Sequence, residues 1–465
     1  SRGLGDVYKR QSMDNYHSWG TYNVHDPSCC KLGDYYYMYS TDAILGENRK
    51  EAEEKNVPLG FIQVRRSKDL VKWEFVGWAF PEIPQEAVEW VRSHADGKGA
   101  TNIWAPYIIP FGDKYRLYYC VSAFGLKTSY IGLAESASPE GPWMQRGCVV
   151  KTDATSVMNA IDPSIIADSA TGKWWMHYGS FFGGLYCVEL NPETGLPVQE
   201  GDQGHLIARR ATYWKDNLEA PEIIYNPELK QYYLFVSYDP LMTTYNVRVG
   251  RSDKAEGPFV DYFGVELKDT TNNFPILTAP YRFNNHPGWA GTAHCAVFTS
   301  DEGQYFMAHQ GRLSPHNQMM DLHLRQVFFT SDGWPVVSPE RYTGSASREF
   351  SAADIVGEWE IIRVQEPAYE RQLQADQILW GEGQLKNEEW NVSCTLSLKK
   401  DGQLDENKGY WKFAERGQLL SLTLNGESVD NLLVFAGHDW ENETETVLFT
   451  GLDSRGRSVW GKRTK

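Results

Sequence analysis

Three carboxylates stand at equivalent or adjacent points of a recurring pattern: Asp26 in His25-Asp26-Pro27, Asp162 in Ile161-Asp162-Pro163 and Glu219 in Glu219-Ala220-Pro221. Paired carboxylates across a cleft are what glycosidic cleavage needs. One protonates the leaving oxygen while the other activates water or attacks carbon. A third can tune the acid, because nearby like charge disfavours ionisation. An Asp-Pro step also reads as ordinary turn chemistry, and a lone acidic residue is most often a solvated one. Three acids in one register of a repeat are far harder to ascribe to chance. Glu222 competes with Glu219 but lies further along, inside the strand.

The pattern that carries them occurs five times, with Trp104-Ala105-Pro106 and Ala293-His294-Cys295 as the remaining copies. Each copy leads through a short apolar stretch and a turn into an aromatic-rich strand, such as Tyr35-Tyr36-Tyr37-Met38-Tyr39 or Tyr232-Tyr233-Leu234-Phe235-Val236. Glu140-Gly141-Pro142-Trp143 and Glu256-Gly257-Pro258-Phe259 recur where outer strands would begin. Repeats of four short strands are how propeller blades appear in sequence. The expected fold is all-β: a five-bladed β-propeller followed by a small antiparallel β-barrel. A propeller gathers equivalent positions of its blades round one axis, so Asp26, Asp162, Glu219 and His294 are expected to converge. Only residues 83–95 look helical.

The pattern divides the chain into an N-terminal extension over 1–21, a propeller over 22–345 and a barrel over 354–465, with the small, polar residues 343–353 marking the boundary. In the last part Val392, Cys394, Leu396 and Leu398 alternate ahead of Asp401-Gly402, and Leu420, Leu422 and Leu424 ahead of Asn425-Gly426. Alternation with such turns signals antiparallel strands, and about eight of them suit a small closed barrel.

A net charge of -16 argues against nucleic acid, since a phosphate backbone needs a basic stripe. No stretch is apolar and long enough to span a membrane, and residues 1–11 lack the apolar core of a secretory signal, which leaves one upstream open. Aromatic residues make up 14% of the chain, an excess that fits both blade packing and stacking on sugar rings. The seven cysteines form no Cys-x-x-Cys pair and read as buried thiols, with a bridge left open.

Residues 22–340 resemble the family 43 glycoside hydrolases, propeller enzymes acting on arabinose- and xylose-containing polysaccharides. The resemblance rests on His25-Asp26-Pro27, Ala160-Ile161-Asp162-Pro163 and Leu218-Glu219-Ala220-Pro221. It implies that Asp26 is the general base, Asp162 the modulator of the acid and Glu219 the general acid. Asn159-Ala160-Ile161-Asp162, Gly179-Ser180-Phe181-Phe182-Gly183-Gly184, Tyr245-Asn246-Val247-Arg248 and Gly291-Thr292-Ala293-His294 are similar to the endo-α-1,5-L-arabinanase branch. That likeness implies an inverting endo-acting enzyme with arabinan or arabino-oligosaccharide as substrate, secreted or periplasmic. It also implies one calcium ion near His294, with water filling most of its coordination sphere. His25, Trp104, Phe124, Asn159, Ser180 and Phe181 are the expected substrate-binding residues. Gly357-Glu358-Trp359 resembles the opening of lipocalin-type barrels, and arabinanases with a barrel after the propeller are a known arrangement. An exo-acting α-L-arabinofuranosidase or a β-xylosidase would use the same acids, and a non-catalytic sugar-binding propeller is the reading from another class. Oligomeric state is not legible.

Overall fold

The structure, a computed structural model, describes residues 12–44, 46–211, 215–269, 272–316, 318, 320–367 and 385–465. Four sheets of four antiparallel strands each follow one another along the chain. Their innermost strands are His25–Leu32, Trp104–Phe111, Ser164–Ala167 and Leu218–Asn226. Each sheet runs outward in sequence order, with aromatic strands such as Tyr35–Thr41 and Gln231–Tyr238 second from the axis and buried on both faces. Apolar clusters lie between successive sheets; Tyr39, Leu117 and Val121 share one, and Tyr118, Ile165 and Met176 share the next. The aromatic excess is therefore largely spent on packing blade against blade.

The expected count of five blades is corrected. Among the described residues four discrete four-stranded blades are present, whereas the strands of the fifth repeat belong to a seven-stranded sheet. Cys295–Thr299, Tyr305–Leu313, Met320–Phe329 and Pro335–Val337 lie there beside Trp289–Ala290 and Tyr281–Arg282. The last strand of that sheet, Asn391–Val392, pairs in parallel with Tyr281–Arg282 and comes from the C-terminal part of the chain. The extra strands enter beside Tyr305–Leu313, whose far end Arg312-Leu313 pairs with Trp289–Ala290 beyond its pairing with Cys295–Thr299. Cys295–Thr299 itself contacts both His25–Leu32 and Leu218–Asn226.

The C-terminal part is also corrected. Among the described residues its sheet has seven strands in an open order, with Cys394–Leu398 at one end and Gly409–Ala414 at the other, rather than about eight in a closed ring. Trp359, Leu420, Leu432 and Phe449 fill its concave face. Its other face joins the propeller: Ile362, Val364 and Trp460 pack in one cluster with Tyr281, Trp334 and Val337. The expected helix is present as Gln85–His94; a second, Gly46–Glu54, was not expected. All seven cysteines are free thiols. The part of the N-terminal extension over residues 1–11 lies outside the described residues.

Candidate active site

At the mouth of the ring the backbone is bent in the same way four times. Asp26, Ala105, Asp162 and Ala220, the middle residues of their triplets, have φ of 48°, 34°, 58° and 56°. This left-handed region is disfavoured for residues with a side chain, and each is followed by a proline. The ladders slip at the same places, between His25 and Ser28, Trp104 and Tyr107, and Glu219 and Glu222. Such bulges re-aim side chains, at a cost of about 1–3 kcal/mol per strained residue. The compensation is visible. Each strained N–H donates to the preceding unit of the ring: Asp26 to Gln310 Oε1 at 3.1 Å, Ala105 to Thr41 Oγ1 at 2.7 Å, Asp162 to Cys120 Sγ at 3.3 Å and Ala220 to Asp162 Oδ2 at 3.1 Å.

The Asp26 carboxyl is gripped on both oxygens. Thr41 Oγ1 donates to Oδ2 at 2.8 Å, and His294 Nδ1 lies 3.1 Å from Oδ1. Burial opposes ionisation of Asp26, but the His25 and His294 imidazoles and the Thr41 hydroxyl outweigh it and hold the carboxyl well below the usual range. Burial drives His25 down to about 4, so its ring is neutral above that pH and charged only in the more acid range where Asp26 itself titrates. His294 is the cation: burial works against its charge, yet Asp26, Asp162 and Glu219 together raise it to about 9.

The other two acids behave oppositely. Burial pushes Asp162 well above the usual range, against the His294 charge and with Glu219 and Asp26 adding to the rise. Burial also raises Glu219, although Ser180 and Tyr245 donate to it. Ser180 Oγ reaches Glu219 Oε2 and Tyr245 Oη reaches Oε1, both at 2.6 Å. One acid is thus held ionised and two are held toward the protonated form, the separation that assigns a base and an acid to one site. Glu222, the competitor, is buried and raised to about 8 by that burial, and does not line the cleft.

Asp26, Asp162 and Glu219 open onto a cleft of about 340 Å³. His25, Trp104, Phe124, Asn159, Ser180 and Phe181 line it as well. Trp104 Nε1 donates to Asn102 Oδ1 at 2.6 Å, its ring meets Phe124 edge to face at 6.2 Å, and Phe124 is 45% exposed. Asn159 Oδ1 instead accepts from Ser129 Oγ at 2.6 Å. His294 is the exception among the expected residues, lying behind Asp26 and outside the lining. Residues not expected are Thr41, Tyr245 and Arg312. Tyr245 opened a run that was already informative in the sequence, so a signal existed. Thr41 ends an aromatic strand and Arg312 lies far along the chain, and neither carried one.

For a metal, the described residues contain one group of three acids whose ligand atoms lie within 4.8 Å of one another: Glu340, Asp439 and Glu441. The Lys462 ammonium sits among them, 2.9 Å from Glu340 and 3.0 Å from Asp439, and also contacts Glu441. A lysine there supplies the charge that a cation would. At the cleft His294 is itself the cation and holds Asp26 Oδ1 at 3.1 Å, so its ring would have to lose a proton to ligate a metal; calcium wants six or more oxygens, so water would have to complete the set.

A strained ring mouth that presents carboxylates of opposed proton affinity to a cleft defines a glycosidase-type propeller. Residues 20–335 match the Glycosyl hydrolases family 43, and residues 339–461 match its C-terminal lipocalin-like domain. The chain belongs to family 43 and is a glycoside hydrolase. It is 29% identical to an extracellular endo-α-(1→5)-L-arabinanase of Thermotoga petrophila, over 95% of this chain and 94% of that one. It is 31% identical to an extracellular exo-α-(1→5)-L-arabinofuranosidase of Cellvibrio japonicus, over 68% of this chain and 86% of that one. The crystal structure of a Thermotoga petrophila endo-1,5-α-L-arabinanase superposes with a TM-score of 0.78 at 27% identity, covering 96% of this chain and 99% of that one.

Proposed function

We propose that this protein hydrolyses internal α-1,5-linked L-arabinofuranosyl bonds of arabinan with inversion. The observation that carries the chemistry is the opposed state of two acids at one cleft, Asp26 ionised beside His294 and Glu219 raised by burial. Asp26 takes a proton from a water as it attacks the anomeric carbon, and Glu219 gives its proton to the departing oxygen. Asp162 holds the backbone behind Glu219. Trp104, Phe124 and Phe181 offer ring faces to the sugar, His25 and Asn159 complete the subsite around it, and Ser180 serves it through Glu219. The endo reading is supported by relatives of full-length coverage that carry that name.

Calcium near His294 is part of this reading; when bound it would offset the negative charge of the acids. The chain divides into a catalytic part over 22–345 and a C-terminal part over 354–465 that braces it. Export from the cytoplasm is supported by the extracellular relatives, and among the described residues no helix is long and apolar enough to cross a membrane. The test is a product profile on debranched arabinan. A spread of oligosaccharides early in digestion is expected, and release of a single short product from the first minutes would give the exo-acting reading instead.

A further inference from the structure

The carboxyl of Glu219 meets two hydroxyls, one on each oxygen, and each comes from a different element. Ser180 Oγ and Tyr245 Oη both lie 2.6 Å away. Neither is a loose side chain. Ser180 forms an isolated antiparallel bridge with Glu219 itself, flanked by Gly179 N–H to Ile161 O at 2.9 Å and Phe181 N–H to Leu218 O at 2.8 Å. Tyr245 is buried, its N–H donates to Pro240 O at 3.1 Å, and its carbonyl accepts from Thr292 N–H at 3.2 Å.

We propose that Ser180 and Tyr245 are positioning residues for Glu219, a two-hydroxyl clamp that fixes the carboxyl's orientation and stabilises its anion. This rests on Glu219 being the general acid. In that step the glycosidic C–O bond breaks, the Glu219 proton moves to the leaving oxygen, and the attacking water loses its proton to Asp26. Glu219 is left as a carboxylate. Both clamp hydroxyls are already aimed at it, and hydrogen bonds to an ionised acceptor are about twice as strong as neutral ones. The clamp therefore strengthens as the proton leaves, which is the condition for an interaction to speed the chemical step.

It also sets a balance. Burial and the charge of Asp26 from the first blade favour the protonated acid. The two hydroxyls and the His294 cation favour the anion; Arg312 also lines the cleft, and Glu222 lies further along Glu219's own strand. Without the clamp the acid would bind its proton more tightly and give it up less readily.

The experiment uses full-length Tyr245→Phe and Ser180→Ala on arabinan and on a nitrophenyl glycoside of an α-1,5-arabino-oligosaccharide. For each variant, kcat on arabinan should fall on the order of tenfold or more with little change in KM, and the basic limb of the pH profile should move up by about one pH unit. The nitrophenyl substrate, whose leaving group needs little protonation, should lose much less. If Tyr245→Phe fails to fold, Ser180→Ala carries the same readouts. An unmoved basic limb with equal losses on both substrates would overturn the clamp. Glu219→Gln is the control: full turnover of arabinan by that variant would remove the acid assignment beneath it.

Discussion

The backbone N–H of Ala220 donates to Asp162 Oδ2 at 3.1 Å, so the third blade's carboxyl secures the strained residue next to Glu219. Asp162 thereby acts on Glu219 through the chain as well as through charge. Asp162→Asn keeps an acceptor for that N–H, whereas Asp162→Ala leaves it buried and unmatched. The Ala variant is expected to be less stable than the Asn variant by about 1–3 kcal/mol. Equal denaturation midpoints would mean that the bond does not hold the bulge.

Removing either proposed proton-transfer group is expected to abolish most turnover without unfolding the protein. Asp26→Asn and Glu219→Gln nearly preserve volume, and each should cost about 10²–10⁴ in kcat. Because burial raises Glu219, the basic limb of the wild-type profile should lie above the usual carboxylate range. Steady-state rates across pH, with circular dichroism of each variant, check both points.

Inversion leaves room for a water between base and sugar, so the Asp26 and Glu219 carboxyls are expected roughly 6.5–9.5 Å apart in a substrate complex. An α-linked substrate should then release the β-anomer before mutarotation. Early NMR of the anomeric proton reads this directly, and the α-anomer appearing first would make Asp26 a nucleophile.

The buried cluster between propeller and C-terminal sheet predicts a pH dependence of stability. Burial first, then Glu340, raise Glu441 to about 8 against the pull of Lys462. A carboxyl raised on folding contributes stability below its ordinary value near 4.5, and that contribution is lost as pH rises toward 8. Glu441→Gln should therefore flatten the decline in melting temperature between those limits. Lys462→Met, which leaves the acids without their cation, should cost about 3–5 kcal/mol at neutral pH.

If calcium sits near His294, chelation followed by desalting should lower activity, and added calcium should restore it. Elemental analysis is expected to give about one metal per chain, and His294→Ala should abolish that stoichiometry. Full activity in metal-free protein would leave His294 as the cationic partner of Asp26 alone.

The carboxylates were legible because each opens an inner strand, and the repeat that announces the strands also announces the register. Their supports were legible only in part: Ser180 was expected at the cleft and Tyr245 opened an informative run, but neither was expected as a partner of Glu219. Thr41, Ser180 and Tyr245 reach the acids from strand ends and loops whose positions depend on how the ring closes, and Arg312 is brought in from the last sheet. Closure is also where the blade count failed. The fifth repeat carries the same aromatic strand, Tyr305–Leu313, as the others. What sequence periodicity does not encode is that Trp289–Ala290, Tyr281–Arg282 and a segment from beyond residue 385 extend that sheet. The C-terminal strands showed their alternation plainly, yet open and closed sheets share the same alternation. The helix Gly46–Glu54 has nine residues with little apolar content, so no periodic stripe revealed it.

The parallel pairing of Asn391–Val392 with Tyr281–Arg282 has a consequence for synthesis. A ribosome delivers the chain from its N-terminus, and domains formed early begin to fold as they emerge. All three acids have been translated by residue 219, and the strand Cys295–Thr299 soon after. The sheet holding that strand still lacks its outermost member until residue 392 clears the exit tunnel, and Trp460 of the shared core arrives later still. The sheet that closes the ring is therefore completed only once residues far downstream of all three acids have been delivered.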